Sequence, residues 1–284
     1  MFVAGYGHFL RTAASLQWDE AAVDLTADVR AWPALDRVLR ARLVHLIAGF
    51  CVAEAAVADH IVPFEAAAHD PDAAACFGAQ AVDERRHARF FDRVAAEVLR
   101  TPDAGPAQRR RELRALLAPE FLELFEERLP QAARGLAEEP AVAGRAGRLA
   151  PEARRGHAEL PAAVAVYHLL LEGIVFSVGQ SALLRLLEDA RPPLPGLRRG
   201  VELVARDERW HIGLGARLLD DLDVDRLAAR PLLAEGEAVA AVWGDAVDAR
   251  LVARAVALHE RRLRATASED AERPAVARCA PGGP

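Results

Sequence analysis

The chain has 284 residues, of which 52% are hydrophobic and 27% charged, and its formal net charge is −6. A chain of this length and apolar content can bury a sizeable core, while the absence of a basic block argues against a nucleic-acid partner. Its 36 cationic side chains are all arginines, which excludes a lysine nucleophile and lysine Schiff-base chemistry.

Apolar residues recur at helical spacing in six stretches, and no alternating strand pattern competes with them. The predicted helices are 35–60, 72–100, 109–129, 161–189, 197–222 and 238–266, the last interrupted near Gly244. Alanine, leucine and arginine dominate the composition, which favours helices. The sequence therefore predicts an all-α fold in which the helices form a bundle.

We expect a single helical domain over residues 1–266. The segment 135–161 is rich in Gly, Pro and Arg, and is expected to be a loop or a weak helix between two halves of the bundle. The last residues, 267–284, combine charged residues with Pro and Gly, and we expect a disordered C-terminal tail there.

Cysteine usage and apolar runs bear on the compartment. The three cysteines, Cys51, Cys76 and Cys279, do not suggest a disulfide framework. The first ten residues lack the basic region and apolar run of a signal peptide, and no uncharged apolar run is long enough to cross a membrane. We therefore expect a cytoplasmic protein without a membrane span.

A short motif is written twice, about half a chain apart. Residues 83–87 read DERRH and residues 207–211 read DERWH. Within each copy the Glu and the His are three residues apart, Glu84 with His87 and Glu208 with His211, so each pair shares one helix face. A carboxylate and an imidazole on one face are half of a transition-metal site, although a single such pair also occurs on ordinary solvated helices.

A lone acid precedes each motif within an apolar helix. Glu54 lies in HLIAGFCVAEAAVADHIV and Glu172 in VYHLLLEGIVFSVGQSALL. Burying an ionised carboxylate is costly unless it is paired or binds a metal. The order Glu, then Glu-x-x-His, twice over, is typical of ferritin-like bundles with a dinuclear metal centre in the core. The predicted metal ligands are Glu54, Glu84, His87, Glu172, Glu208 and His211.

Asp83 and Asp207 each precede a predicted ligand glutamate by one residue. A metal-binding histidine usually donates its other N–H to a carboxylate. We therefore predict that Asp207 orients His87 and that Asp83 orients His211, the alternative being that both aspartates only add surface charge. The neighbouring arginines of the motifs, Arg86 among them, are interpreted as charges at the bundle surface.

The set of six ligands resembles that of the ribonucleotide reductase small subunit family. In that family a radical tyrosine commonly follows the first motif's histidine by four residues, and here that position is Phe91. The C-terminal tail also has no tyrosine of the kind that would relay a radical to a large subunit. The departures disfavour a conventional subunit with a tyrosyl radical.

The chain is more similar to the ligand-binding oxidases that resemble this small subunit. Their valine three residues after the first ligand corresponds to Val57, and their tyrosine five residues before the third carboxylate corresponds to Tyr167. The stretch RDERWHIGLG also resembles their second motif. The similarity covers roughly residues 35–222, and the segment 101–160 is longer than the family leads us to expect.

This resemblance implies a manganese/iron centre, or two irons, with dioxygen as the oxidant and Glu84 as a bridging ligand. It implies a bound long-chain fatty acid or similar apolar ligand, a Tyr167–Val57 ether cross-link, and a homodimer. Because Tyr167 and Glu172 are five residues apart, the helix must be distorted near Gly173 or the phenol must reach sideways. The function expected is an oxidase acting on C–H bonds.

Four other interpretations stay open. They are a reductase subunit without a tyrosyl radical, a dinuclear oxygenase of secondary metabolism, a ferritin-like iron store, and a helical interaction protein without metal. The arylamine type of oxygenase has a third histidine just before its last Glu-x-x-His, where this chain has Val204. An iron store needs a symmetric shell of many chains.

Overall fold

The computed structural model describes residues 4–101, 105–138, 159–222, 224 and 226–270, and this part of the chain contains helices and turns but no strand. The α-helices are α1 (Tyr6–Ser15), α2 (Thr26–Ala31), α3 (Arg37–His60), α4 (Val62–Ala67), α5 (Pro71–Glu97), α6 (Pro106–Arg114), α7 (Pro119–Leu122), α8 (Leu129–Glu138), α9 (Glu159–Val164), α10 (Ser177–Asp189), α11 (Pro195–Asp221), α12 (Arg226–Val239) and α13 (Ala249–Asp270). Short 3₁₀ segments cover Glu20–Ala22, Trp32–Ala34 and Ala240–Ala246, and π-helical segments cover Glu123–Arg128 and Ala165–Phe176.

Four long helices form the centre of the molecule. They are α3, α5, α11 and a composite helix, in which α9, the π segment Ala165–Phe176 and α10 follow one another without a break. Helix α3 packs on α5, α11 packs on the composite helix, and contacts between α5 and α11 and between α3 and α10 close the bundle. The architecture is the ferritin-like bundle that the sequence predicts.

Aspartate side chains cap three of these helices. Asp36 accepts hydrogen bonds at the start of α3, and Asp70 does the same at the start of α5. Helix α11 is capped from a distance, because the buried carboxylate of Asp28 accepts the backbone N–H groups of Gly196 at 2.9 Å and Leu197 at 2.8 Å. These caps satisfy donors that have no partner within the helix, and the last one fixes the start of α11 against the N-terminal segment.

Most predicted helices agree with the structure to within a few residues, but the prediction for 109–129 is wrong. That stretch breaks before Pro119, because a residue preceding proline is driven into extended backbone, and Ala118 has φ −68° and ψ 147°. The interruption predicted in the last helix is present at Gly244, whose φ of 76° requires a glycine-like backbone. Residues 139–158 of the predicted loop and 271–284 of the predicted tail lie outside the described residues.

Two helical stretches, Arg37–Ala67 and Glu159–Asp189, have the length and mean hydropathy of a membrane span. Within the bundle 61% and 83% of their most apolar windows are buried, and each stretch carries a buried glutamate near its middle. This burial against other helices is typical of the core helices of a helical bundle.

Trp243, in the C-terminal 3₁₀ segment, is inserted between two core helices. A Cβ on Gly49 of α3 would lie 2.5 Å from its ring, and a Cβ on Gly179 of α10 would lie 2.4 Å from it. Its indole N–H donates to the carbonyl of Val175 at 2.7 Å. Only glycine allows this approach from both sides. The hydrogen bond to Val175 ties the C-terminal segment to the π segment.

Candidate metal centre

The fold brings the six predicted ligands together in the middle of the bundle. Each of the four core helices contributes, and every one of the six residues is at least 97% buried. Two overlapping groups have potential ligand atoms within 4.8 Å of one another. The first group is Glu54, Glu84, His87 and Glu208, and the second is Glu84, Glu172 and His211.

In the first half of the cluster, three carboxylates surround Nδ1 of His87. Glu54 Oε2 lies 3.5 Å from this atom, Glu84 Oε2 lies 3.6 Å from it, and Glu208 Oε1 lies 3.5 Å from it. Glu54 belongs to this half alone. The remaining two carboxylates have their other oxygens in the second half.

The second half repeats this arrangement around Nδ1 of His211. Glu84 Oε1 lies 3.2 Å from that atom, Glu172 Oε1 lies 3.7 Å from it, and Glu208 Oε2 lies 3.5 Å from it. Glu84 and Glu208 therefore each reach both histidines, whereas Glu54 and Glu172 lie at opposite ends. The cluster has an approximate twofold symmetry that follows the repeated motif.

The chemistry of the donor set fits a pair of transition-metal ions. Hydrogen-bond partners are missing for several buried atoms of the cluster, and a buried polar atom without a partner is costly. These atoms are both carboxylate oxygens of Glu54, Oε2 of Glu172, Oε2 of Glu208, and Nδ1 of His87 and His211. Carboxylate and imidazole donors together suit iron or manganese.

Burial and crowding shift the pKa values of the cluster in the metal-free protein. Burial raises the pKa of Glu54 to about 8, and it also raises the pKa values of Glu172 and Glu208. Burial also opposes ionisation of Glu84, but hydrogen bonds with the two histidines outweigh it and lower the pKa of that carboxyl. Protons thus occupy the positions where metal ions would supply positive charge.

The two histidines respond in the opposite sense. Burial alone would lower the pKa of each imidazole, but hydrogen bonds with carboxylates raise both pKa values well above 6.5. The hydrogen bond that raises the pKa of His87 most is the one with Asp207, and for His211 it is the one with Asp83. Each imidazole therefore has one nitrogen facing the cluster and the other facing an aspartate.

The aspartates cross over between the halves of the cluster. Asp207 Oδ2 lies 3.3 Å from Nε2 of His87, and Asp83 Oδ2 lies 3.4 Å from Nε2 of His211. Each aspartate also accepts an indole N–H, from Trp18 at 2.7 Å for Asp207 and from Trp210 at 3.1 Å for Asp83. Both aspartates are fully buried, which argues against the surface-charge alternative.

Arg86 lies between the two aspartates, and the interpretation of this residue as a surface charge is wrong. Its side chain is 3% exposed, and Nη2 lies 2.5 Å from Asp83 and 3.0 Å from Asp207. It donates to Gln17 at 2.8 Å and covers the Trp18 ring at 5.2 Å. The available signal was its position one turn after Asp83, on the buried face of α5.

Tyr167 lies in the cluster, and its hydroxyl donates to Glu84 Oε1 at 2.9 Å. It belongs to the π segment, in which hydrogen bonds link residues five apart instead of four. Residues 167 and 172 therefore lie on the same side of the helix, which resolves their five-residue separation. Val57 is buried on α3, less than one turn after Glu54.

Phe91, at the position of the radical tyrosine discussed above, and Tyr6 both lie apart from the ligand cluster's hydroxyl contact. Phe91 is fully buried and stacks on Phe50 with ring centroids 4.9 Å apart. Tyr6, the other tyrosine of the sequence, donates to Asp221 at 2.6 Å on another part of α11. Tyr167 is consequently the tyrosine that contacts the ligand cluster.

Two further side chains at the cluster were missed by sequence reasoning. Gln80, one turn before Glu84, donates to Glu172, and its amide nitrogen lies 3.3 Å from Glu84 Oε1. His168 is buried beside Gln80, with Nε2 3.3 Å from the amide oxygen. A neutral amide one turn from an acid carries no distinctive sequence signal.

The metal-free protein is expected to lose stability as the pH rises from about 5 to about 8. Because the pKa of Glu54 is about 8 in the folded protein and near 4.5 in an ordinary setting, the unfolded chain releases a proton that the native state keeps. His87 and His211 act in the same direction above about pH 6.5. We expect a fall of roughly 2–5 kcal/mol in the free energy of unfolding, measured with urea.

Bound metal should weaken or reverse this dependence, because metal ions displace the same protons. The Glu54→Gln variant, which has no carboxyl group to titrate, should lose part of the slope, while the exposed Glu120→Gln should keep all of it. A metal-free protein that is more stable at pH 8 than at pH 5 would contradict the interpretation.

Removing the guanidinium of Arg86 should destabilise the protein, because two buried carboxylates lose their shared partner. We expect Arg86→Met to lower the free energy of unfolding by about 3–5 kcal/mol, measured by urea unfolding. Arg85→Met, which changes the exposed neighbour in the same motif, should cost less than about 0.5 kcal/mol. Equal effects of the two substitutions would show that Arg86 does not stabilise the aspartate pair.

Comparison with solved structures agrees with the fold described above. Solved structures of R2-like ligand-binding oxidase variants are similar: two with anaerobically reconstituted Mn/Fe cofactor have TM-scores of 0.72 at 19% identity, covering 94% and 91% of this chain and 93% of theirs. A third, with aerobically reconstituted Mn/Fe cofactor, has a TM-score of 0.69 at 19% identity, covering 94% of this chain and 93% of its own. At this identity the likeness shows the fold.

The sequence model for the small chain of ribonucleotide reductase matches residues 6–235. This range contains all six residues of the cluster, both crossed aspartates, Val57 and Tyr167. It covers well over half of the chain. The protein belongs to the ribonucleotide reductase small chain family.

Proposed function

We propose that the protein is an oxygen-dependent oxidase with a dinuclear manganese/iron or di-iron centre that acts on C–H bonds. The observation that carries this proposal is the symmetric arrangement of four carboxylates and two imidazoles around a buried centre. Membership of the small chain family and the Mn/Fe cofactors of the similar oxidases support it.

Glu54, Glu84 and His87 would hold one metal ion, and the other would be held by Glu172, Glu208 and His211. Glu84 is the proposed bridging ligand, because its two oxygens lie near both histidines and it belongs to both candidate groups. Glu208 has the same reach. When bound, such a metal pair supplies the electrons that reduce dioxygen and the oxidising power for C–H cleavage.

The surrounding residues prepare the site for those ions. Asp207 and Asp83 lie against Nε2 of His87 and His211, so each imidazole would keep its Nε2 proton and give up its Nδ1 proton when a metal ion binds. Buried apolar side chains keep water away from the reacting groups. The proposed wall residues are Phe90, Phe91, Ile174, Val175, Phe176 and Ile212, all of which are buried.

We also propose a Tyr167–Val57 ether cross-link. Its formation removes the phenolic hydrogen of Tyr167 and one hydrogen from a Val57 carbon, and an O–C bond replaces the two broken bonds. The two electrons and two protons released are accepted by dioxygen. Contact between the Tyr167 hydroxyl and Glu84, together with the burial of Val57 on the helix of Glu54, supports this reaction.

The substrate or ligand proposed is a long-chain fatty acid or a similar apolar molecule, in a cytoplasmic homodimer. The apolar walls of the cluster support an apolar ligand, and the similar proteins are named ligand-binding oxidases.

A reductase subunit without a tyrosyl radical is the second candidate function, since the matching family is that of the reductase small chain. Phe91 at the usual radical position weighs against the conventional form of that subunit. Co-purification with a reductase large subunit would favour this alternative.

Replacing Glu172 should remove one metal site. We expect Glu172→Ala to bind one metal ion per chain instead of two, and to lose oxygen consumption after anaerobic loading with manganese and iron. Metal analysis and an oxygen electrode measure the two effects, and Glu120→Ala is the exposed control. Normal oxygen uptake with one metal ion lost would refute the dinuclear scheme.

A peptide mass map tests the cross-link directly. Cleavage after arginine separates residues 43–85, which contain Val57, from residues 156–185, which contain Tyr167. After metal loading and exposure to air, we expect the two peptides to run as one species lacking two hydrogens. Tyr167→Phe is the control that cannot form the ether. If the two peptides of fully metal-loaded wild-type protein run separately, the cross-link does not form and the oxidation acts on another substrate.

A further inference from the structure

The side chain of Gln80 is buried against one half of the cluster. Its amide nitrogen lies 2.5 Å from Glu172 Oε1, 2.9 Å from the Tyr167 hydroxyl and 3.3 Å from Glu84 Oε1. The residue is fully buried and lies on α5, one turn before Glu84. A neutral amide can serve several carboxylates here without adding a charge that would repel a metal ion.

Counting donors gives one arrangement that satisfies these groups. An amide nitrogen has two hydrogens, and the two shortest contacts of Gln80 are with Glu172 and the Tyr167 oxygen. The Tyr167 hydroxyl keeps its own hydrogen for Glu84, 2.9 Å away. One chain of hydrogen bonds therefore links Gln80 through Tyr167 to Glu84, and a second bond restrains Glu172.

His168 decides which way the amide of Gln80 points. Its Nε2 lies 3.3 Å from the amide oxygen of Gln80, and the backbone carbonyl of Val164 also acts on this imidazole. A proton on Nε2 is the tautomer that satisfies this contact, so the histidine donates to the oxygen and directs the amide N–H groups at Glu172 and Tyr167.

A glycine of the second motif makes room for His168. A Cβ on Gly215, at the end of RDERWHIGLG, would lie 2.3 Å from the Cβ of His168. Phe77 packs against the other side of the imidazole with ring centroids 5.9 Å apart. The glycine of the motif thus has a physical role, which is to let α11 approach the π segment at His168.

Gln80 breaks the approximate symmetry of the cluster. At one end, Glu172 has one carboxylate oxygen bonded to the amide. At the opposite end, neither carboxylate oxygen of Glu54 has a hydrogen-bond partner. One terminal carboxylate therefore accepts a hydrogen bond from a neutral amide, whereas the other faces the imidazole of His87 at 3.5 Å.

We propose that Gln80 is a positioning residue for the half of the centre formed by Glu172 and His211. Oriented by His168, it fixes the Glu172 carboxylate and the Tyr167 hydroxyl, and so raises the affinity of that half for a metal ion. This inference rests on the proposed dinuclear centre. It assigns to Gln80, His168 and Gly215 a function that the six ligands alone do not explain.

Cobalt(II) binding tests the proposal, because the visible absorption of this ion reports its ligands. Metal-free protein is titrated under argon, and two binding events are expected for the wild type. In Gln80→Leu we expect the affinity for one ion to fall by about 10–100-fold, with a shifted absorption band, since partners of metal ligands have effects of this size. Gln180→Leu, which removes another buried glutamine whose amide nitrogen has no hydrogen-bond partner, should leave both events unchanged.

Combining variants identifies the affected half. In the Glu54→Ala background, the affinity for the remaining cobalt ion should fall when Gln80→Leu is added. In the Glu172→Ala background, adding Gln80→Leu should leave that affinity unchanged. Equal affinities and spectra for wild type and Gln80→Leu, or a lower cobalt affinity in the Glu172→Ala background, would overturn the proposal. Wild-type protein that binds two cobalt ions but consumes no oxygen with manganese and iron would refute the proposed function alone.

Gly215→Ala provides a second test that leaves the glutamine intact. The added methyl group displaces His168, so this variant should reproduce the loss of affinity, whereas Gly213→Ala in the same motif should not, because its Cβ would lie 3.0 Å from Phe9 and away from the cluster. If Gln80→Leu fails to fold by circular dichroism, this pair decides the question. Unchanged cobalt binding in a folded Gly215→Ala would overturn the role of His168.

Discussion

Six carboxylates are buried in the middle of the bundle, and the need to neutralise them governs the rest of the structure. Among the described residues, two guanidinium groups oppose the four glutamates of the cluster and the two crossed aspartates: Arg86 lies between the aspartates, and Arg206 lies 3.1 Å from Asp207. Burial of so much like charge is unfavourable without further positive charge. Protons supply it in the metal-free protein, and a pair of metal ions supplies it in the proposed enzyme. The long apolar helices are needed because only a large core compensates for such a centre.

The two halves of the fold are approximately symmetric around the cluster, but they differ at the π segment. The repeated motif on α5 and α11 creates matching histidines, crossed aspartates and shared glutamates. Among the described residues of the four core helices, the composite helix alone contains a π segment, and there it brings Tyr167 to the side of Glu172. A π-helix is rare and is maintained by its surroundings. Here Trp243 bonds to a carbonyl of the segment, and the Ser177 hydroxyl bonds to the carbonyl of Glu172.

The fold class and the sites of the six clustered glutamates and histidines could be predicted from the sequence because acids in apolar helices are conspicuous. Their regular order along the chain then indicated a ferritin-like bundle. Gln80 and Arg86 could not be interpreted in this way, since an amide or a guanidinium acquires its role only from partners on other helices. The π segment was anticipated only as a distortion near Gly173. The break at Pro119 had a local cause in the sequence, but the surrounding apolar periodicity concealed it.

The order of the ligands along the chain has a consequence for biosynthesis. Glu54, Glu84 and His87 leave the ribosome first, whereas Glu172 and the second motif follow after more than half of the chain has been made. Trp243, which holds the π segment in place, is made later still. A nascent chain therefore presents half of a metal site, without the helices that would shield it from water. The six clustered residues come together only after the second motif has been made, so the proposed centre is completed late in synthesis.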